Sequence, residues 1–126
     1  MGSPHKVMII DNNVLDVIAA ERSLKEAGFD VCRLTTPHGA AARVEYEEPD
    51  ILLVDPSMPR LAVQEVLGTL QREPMLESTL ALLFTKGDAA ALRERCGVDG
   101  YHGFYAKSEP IAAIGAFLRE AIATLE

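Results

Sequence analysis

The sequence has no tryptophan, and its aromatic residues are four Phe and three Tyr. A flavin pocket needs aromatic rings around the cofactor, so a flavodoxin-like redox role has little to draw on. The two cysteines, Cys32 and Cys96, are too few and too far apart for a disulfide framework or a zinc site. A reducing, cytoplasmic setting is the expectation. His5, His38 and His102 are scattered, which argues against a metal triad and against a histidine phosphorelay. No uncharged stretch reaches ten residues, so the sequence offers neither a transmembrane helix nor a signal-peptide core. Positive charge is also scarce. Twelve basic residues face nineteen acidic ones, for a formal charge of -7. That field repels phosphate backbones, so neither direct nucleic-acid binding nor membrane binding is expected. There is no glycine-rich phosphate loop and no Gly-x-Ser-x-Gly elbow, which removes the usual nucleotide enzymes and serine hydrolases.

What is present is an ordinary globular composition. The 126 residues are 48% hydrophobic and 25% charged, and they predict a single domain over 1–126 with a core over about 7–125. Residues 1–6 read as a short lead-in. Short, nearly continuous apolar runs occur at Val7-Met8-Ile9-Ile10, Ile51-Leu52-Leu53-Val54 and Leu80-Ala81-Leu82-Leu83-Phe84. Such runs fit strands buried on both faces of a parallel sheet. The alternating stretch at 29–34 reads as an edge strand, and 101–106 as the last strand. Between them lie amphipathic, Ala- and Glu-rich segments. These predict helices over 14–27, over 37–47 (capped by Thr36), over 61–72, over 88–96 (stopping at Gly97) and over 109–125 (capped by Ser108). Five strands alternating with five helices predict an α/β fold, a parallel sheet with helices on both faces. Cys32, Cys96 and the four methionines read as packing residues.

In such a sheet the chemistry sits at the carboxyl ends of the strands. Strand one ends in Asp11-Asn12-Asn13 and strand three in Asp55-Pro56-Ser57-Met58-Pro59. Strand four ends in Thr85-Lys86-Gly87-Asp88 and strand five in Lys107-Ser108. Each residue alone reads as a turn, a cap or a solvated charge. Together, two carboxylates, a hydroxyl and a lysine on one edge suit phosphoryl transfer onto a carboxylate. A hard divalent cation would sit between the acids and the incoming phosphoryl oxygens.

In Val7-Met8-Ile9-Ile10-Asp11, in Pro49-Asp50-Ile51-Leu52-Leu53-Val54-Asp55 with Met58-Pro59, in Phe84-Thr85 and in Phe104 to Lys107, the sequence resembles the receiver domains of two-component response regulators. The resemblance covers about residues 7–125. It implies the flavodoxin-like receiver fold, with strand order 2-1-3-4-5. It implies Asp55 as phospho-acceptor and a Mg²⁺ pocket of Asp11, Asn12, Asp55 and the backbone carbonyl of Ser57. It implies Thr85 as the switch hydroxyl, Lys107 as the phosphate-binding lysine and Phe104 as the switch aromatic. The output surface would be the face of helix four, strand five and helix five. The implied partners are a histidine kinase or phosphotransfer protein and a downstream protein target or effector domain, with a homodimer as a further option. Such a protein is a phospho-acceptor that catalyses its own phosphoryl transfer and dephosphorylation rather than an enzyme acting on a separate substrate. With nothing after helix five, it would be a stand-alone receiver or a domain of a longer protein.

The sequence departs from that family at several positions. Asn12 stands where a second acidic metal contact is usual, and Asn13 replaces another common acid. This leaves Asp11 and Asp55 as the carboxylates of the pocket, and the expected Mg²⁺ binding is weak. Lys86 replaces a small residue and is expected to modulate access to the pocket. Arg60-Leu61-Ala62-Val63 lacks the Asp-Gly that commonly opens helix three. Ser108 replaces a proline whose peptide bond is generally cis, so this loop is expected to be strained or rebuilt in trans. These departures support a second reading, an atypical receiver-like interaction module that binds partners without phosphorylation.

Overall fold

The computed structural model describes residues 5–125. The elements run β1 (Lys6–Ile10), α1 (Val14–Glu26), β2 (Asp30–Leu34), α2 (Ala40–Glu47), β3 (Ile51–Val54) and α3 (Val63–Arg72). After a 3₁₀ turn at Pro74–Leu76 come β4 (Leu80–Thr85), α4 (Ala89–Asp99) and β5 (Gly103–Ala106). A second 3₁₀ turn at Ile111–Ala113 leads into α5 (Ile114–Leu125). The strands form one parallel sheet in the order β2-β1-β3-β4-β5. This is the predicted architecture and strand order.

The apolar runs are continuous because each central strand feeds two cores. Side chains alternate across a strand. Val7, Ile9, Ile51, Leu53 and Phe84 pack with Val17, Ala20 and Leu24 of α1 and with Ile114 and Leu118 of α5. Met8, Ile10, Leu52, Val54 and Leu83 pack on the other side with Val44 of α2, Val66 of α3 and Leu92 of α4. β1 and β3 stay in register from Val7 opposite Ile51 to Ile10 opposite Val54. The residues that follow, Asp11 and Asp55, therefore leave the sheet side by side. Where α5 meets α1 there is no room for a side chain, because a Cβ on Gly115 would lie 2.6 Å from Ala27 Cβ.

Several predicted boundaries move, each for a local reason. Residues 1–4 of the lead-in lie outside the described residues, while Lys6 is already in β1, with its amide bonded to the Asp50 carboxylate at 2.7 Å. Thr36 does not cap α2. Its hydroxyl accepts from the His38 amide at 3.3 Å, and the chain turns through Gly39 at φ 70° before the helix starts at Ala40. α3 opens only at Val63, after the chain turns through Arg60 at φ 64°. α4 continues through Gly97 and stops at Gly100, whose amide bonds back to the Cys96 carbonyl. The helix after β5 does not begin at Glu109, since the residue before a proline avoids helical backbone angles. Instead Pro110 stays extended and α5 starts after the 3₁₀ turn. Cys96 is buried, but Cys32 on the edge strand is only half-buried, and Met75 is exposed.

Candidate functional site: an acidic pocket around Lys107

Two ladder bonds carry the pairing one residue beyond the strands. The Asp11 amide donates to the Leu34 carbonyl at 3.1 Å and the Asp55 amide to the Ile10 carbonyl at 2.9 Å. These bonds fix both aspartates at the carboxyl edge, where the strand order reverses direction. β5 delivers Lys107 to the same edge, its amide bonded to the Thr85 carbonyl at 2.9 Å. Asn12, Asn13, Asp16, Asp55, Ser57, Thr85, Lys86, Arg95 and Lys107 line a cavity of about 390 Å³ at this edge.

Lys107 is the centre of the site. Its side chain is 7% exposed. Its Nζ lies 2.7 Å from Asp11 Oδ2, 2.7 Å from Asp55 Oδ2 and 2.9 Å from Asp16 Oδ2. Only the contact to Asp55 is aligned as a hydrogen bond. The aromatic ring of Phe84 backs the ammonium, 5.3 Å from centroid to nitrogen. Burial pushes the lysine pKa down, but the three carboxylates outweigh it and raise it, so the ammonium stays charged.

The two strand-end aspartates differ. Asp55 Oδ1 accepts from the Ser57 amide at 2.9 Å and the Ser57 hydroxyl at 2.6 Å. Burial pushes its carboxyl upward, yet Lys107 and the two Ser57 donors more than offset this and hold it below the usual carboxylate range. Asp11 is fully buried. Burial dominates there and raises its carboxyl, against Lys107 and the Asn13 amide, which donates to Asp11 Oδ1 at 2.9 Å. Asp11 Oδ2 is buried and accepts no hydrogen bond. The oxygens at this edge are hard donors of the kind a cation such as Mg²⁺ takes, and in this structure Asp11 Oδ2 faces the Lys107 ammonium at 2.7 Å.

Asp11, Asp55 and Lys107 thus come into direct contact, with Asn12, Ser57, Thr85 and Lys86 around the same cavity. Asn12 and Lys86 are exposed and Thr85 is buried. Phe104 is not in this cavity. It sits in β5 opposite Leu83 and lines a separate groove of about 560 Å³ with Ala89, Tyr105 and Phe117, on the face of α4, β5 and α5. The Lys107–Ser108 bond is trans, so the loop is rebuilt in trans and still places the ammonium in the pocket. Two residues of the cavity escaped the sequence reasoning, Asp16 and Arg95. The signal for Asp16 was there, an acid in the first turn of the helix that follows the strand-one aspartate. No comparable signal marks Arg95, which α4 brings over from a distant part of the chain.

Fold and cavity define a doubly wound α/β protein with a pocket of mixed charge, centred on Asp55 and Lys107, at the switch point of its sheet. The sequence profile of the response regulator receiver domain matches residues 7–119, and the chain belongs to that family of two-component signalling proteins. It is similar to protein PilG of Pseudomonas aeruginosa, at 27% identity over 115 residues, which are 88% of this chain and 85% of that protein. It is also similar to the alkaline phosphatase synthesis transcriptional regulatory protein PhoP of Bacillus subtilis, at 26% identity over 77 residues. That match takes in 61% of this chain but only 32% of PhoP. In fold it resembles a response regulator from Desulfuromonas acetoxidans, with a TM-score of 0.81, 17% identity, and 97% of this chain and 99% of that one covered. It likewise resembles the chemotaxis protein CheY4 of Vibrio cholerae, with a TM-score of 0.78, 18% identity, and 93% and 98% covered. Among the described residues no helix is long and apolar enough to cross a membrane.

Proposed function

We infer that this receiver domain accepts a phosphoryl group on Asp55 from the phosphohistidine of a histidine kinase or phosphotransfer protein, and signals the change through the face of α4, β5 and α5. The observation that carries this reading is the state of Asp55. It is buried at a strand end, held ionised, and bonded through both oxygens to donors that sit beside the reacting position. An ionised carboxylate is the nucleophile this reaction needs.

In the transfer an Asp55 oxygen forms a bond to phosphorus as the phosphorus–nitrogen bond to the donor imidazole breaks, and the electron pair stays on the imidazole. Ser57 orients the carboxylate through Oδ1. As the charge of Asp55 passes to the phosphoryl group, the ammonium of Lys107 follows it onto a phosphoryl oxygen. Thr85, one step along β4 from the ring that backs Lys107, supplies the hydroxyl for another oxygen. Asp11, Asn12, Asp55 and the Ser57 carbonyl would hold Mg²⁺, which when bound offsets the repulsion between carboxylate and phosphoryl oxygens. Lys86 stands exposed at the cavity and modulates the approach of the donor. Val14, Leu15 and Ile18 are exposed on the first turns of α1, next to the cavity residues Asn12, Asn13 and Asp16. They give a donor protein an apolar foothold beside the pocket.

The test is intact mass after incubation with acetyl phosphate and Mg²⁺. The wild-type chain gains the mass of one phosphoryl group and Asp55→Asn gains none. If the wild type gains none from acetyl phosphate or from a competent kinase, the reading fails. A phosphorylation-independent interaction module then takes its place, a reading supported by Asn12.

A further inference from the structure

We propose that Asp16 is a positioning residue of the phosphoryl-transfer site: it holds the Lys107 ammonium against the pull of the phosphoryl group and so slows transfer onto Asp55. The proposal rests on the functional reading above and adds to it a residue that restrains the reaction.

The Lys107 ammonium has three N–H donors, and three carboxylate oxygens surround it. Asp11 Oδ2 and Asp55 Oδ2 lie at 2.7 Å and Asp16 Oδ2 at 2.9 Å. The first two acids follow strands, whereas Asp16 comes from the first turn of α1. Among the described residues it makes no other ion pair. Its Oδ2 is a buried atom that accepts no aligned hydrogen bond, so the ammonium is the charge it faces. The backbone at this position is fixed on both sides. Asn13 Oδ1 accepts from the Asp16 amide at 3.2 Å, and the Asn13 amide donates to Asp11 Oδ1 at 2.9 Å. The next residue, Val17, is buried against β1 and β3.

The three partners yield differently during transfer. With acetyl phosphate as donor, an Asp55 oxygen bonds to phosphorus as the bond from phosphorus to the acetate oxygen breaks, and the electron pair leaves with acetate. Asp55 thereby loses its formal charge to the phosphoryl group, and the ammonium has to follow that charge. The Asp11 side chain is 1% exposed, so water cannot replace the ammonium there. The Asp16 side chain is 32% exposed, and water can. The ammonium therefore reaches a phosphoryl oxygen by loosening from Asp16. Until it does, Asp16 competes with the phosphoryl oxygens for it. Asp16 also takes the formal charge of the cluster of Asp11, Asp55 and Lys107 from -1 to -2, which repels an anionic donor. Both effects act against transfer. An acid that helped to hold a cation, or to aim the lysine at the donor, would act in favour of it, so the sign of the effect separates these roles.

The experiment has two readouts on the full chain, with thermal melts to check that each variant stays folded. The first is the nitrogen-15 NMR signal of the Lys107 ammonium, assigned by its absence in Lys107→Met; a buried ammonium held by acceptors exchanges slowly with water. In Asp16→Asn this signal is expected to shift and to exchange faster, and in Asp16→Glu, which keeps the charge, to persist. The second is the rate of adduct formation from acetyl phosphate at saturating Mg²⁺, followed by intact mass. Asp16→Asn is expected to react about fivefold faster than the wild type, the effect of one partly exposed charge pair, and Asp16→Glu to stay close to the wild type. An unchanged ammonium signal in Asp16→Asn overturns the proposal, and so does an unchanged or slower transfer. A wild type that gains no adduct refutes the phosphorylation reading and the restraint with it, whereas a wild-type adduct that Asp16→Asn does not accelerate overturns the restraint alone.

Discussion

Replacing Lys107 by methionine tests the electrostatic account of the pocket most directly. Methionine keeps an unbranched chain against Phe84 but removes the ammonium that three carboxylates contact at 2.7–2.9 Å. At neutral pH the variant leaves the three acids without the ammonium that bridges them. Breaking a buried ion pair costs about 3–5 kcal/mol. Asp16 keeps 32% of its side chain in solvent, which relieves part of the repulsion, so about 3 kcal/mol is the expected loss. For a domain of this size that corresponds to a fall of about 10 °C in melting temperature. The pH dependence has a definite sign. In the wild type Asp55 has a lowered folded pKa, so its contribution is present above the unfolded value of about 3.9 and is lost as pH falls through the folded one. In Lys107→Met the carboxyls of Asp11 and Asp55 lose the ammonium that lowers them while burial still raises them, so the penalty is full at neutral pH and is relieved as pH falls and they protonate. The gap between the two proteins should therefore close toward about pH 4.5. Mg²⁺ should also stabilise the variant more than the wild type, because it supplies the missing positive charge without competition from the ammonium. The assay is thermal unfolding followed by circular dichroism, at about pH 7.5 and about pH 4.5, in chelator and in Mg²⁺. Equal melting temperatures in chelator at the higher pH would refute the reasoning. So would a deficit that ignores both pH and Mg²⁺.

Two further substitutions test how the site is held. Gly115→Ala should destabilise the fold by about 1–3 kcal/mol, since its Cβ would meet Ala27 Cβ at 2.6 Å; Ala27→Gly in the same chain should recover most of the loss in a denaturant titration. Asn13→Ala removes the cap of α1 and should cost about 1 kcal/mol in the same titration. Because Asn13 also donates to Asp11 through its backbone, which the substitution keeps, Asp55 phosphorylation should slow without being abolished.

The sequence by itself determined the architecture. Its central strands are buried on both faces, and only an unbroken apolar run satisfies two cores at once, so Val7 to Ile10, Ile51 to Val54 and Leu80 to Phe84 were legible without coordinates. The alternating edge strand, the helix count and the acids and lysine at the strand ends were legible for the same reason, since strand ends in a parallel sheet share one edge. Helix ends were less legible. Whether Thr36 caps a helix or bonds His38, and whether Gly97 or Gly100 stops α4, depends on small differences between competing local bonds. Tertiary structure alone decided which charges meet. Asp55 and Lys107 are 52 residues apart and are brought together by the register of β3, β4 and β5. The signal for Asp16, an acid in the first turn of the helix after the strand-one aspartate, is shared by many helices that bind nothing. Asp16 became part of the pocket only because Asn13 ties the first turn of α1 to Asp11, and because β5 delivers a buried ammonium opposite. Local periodicity encodes which face of an element is buried. It carries no information on where a long side chain from a distant strand will end, and that placement is what set the charge of the pocket.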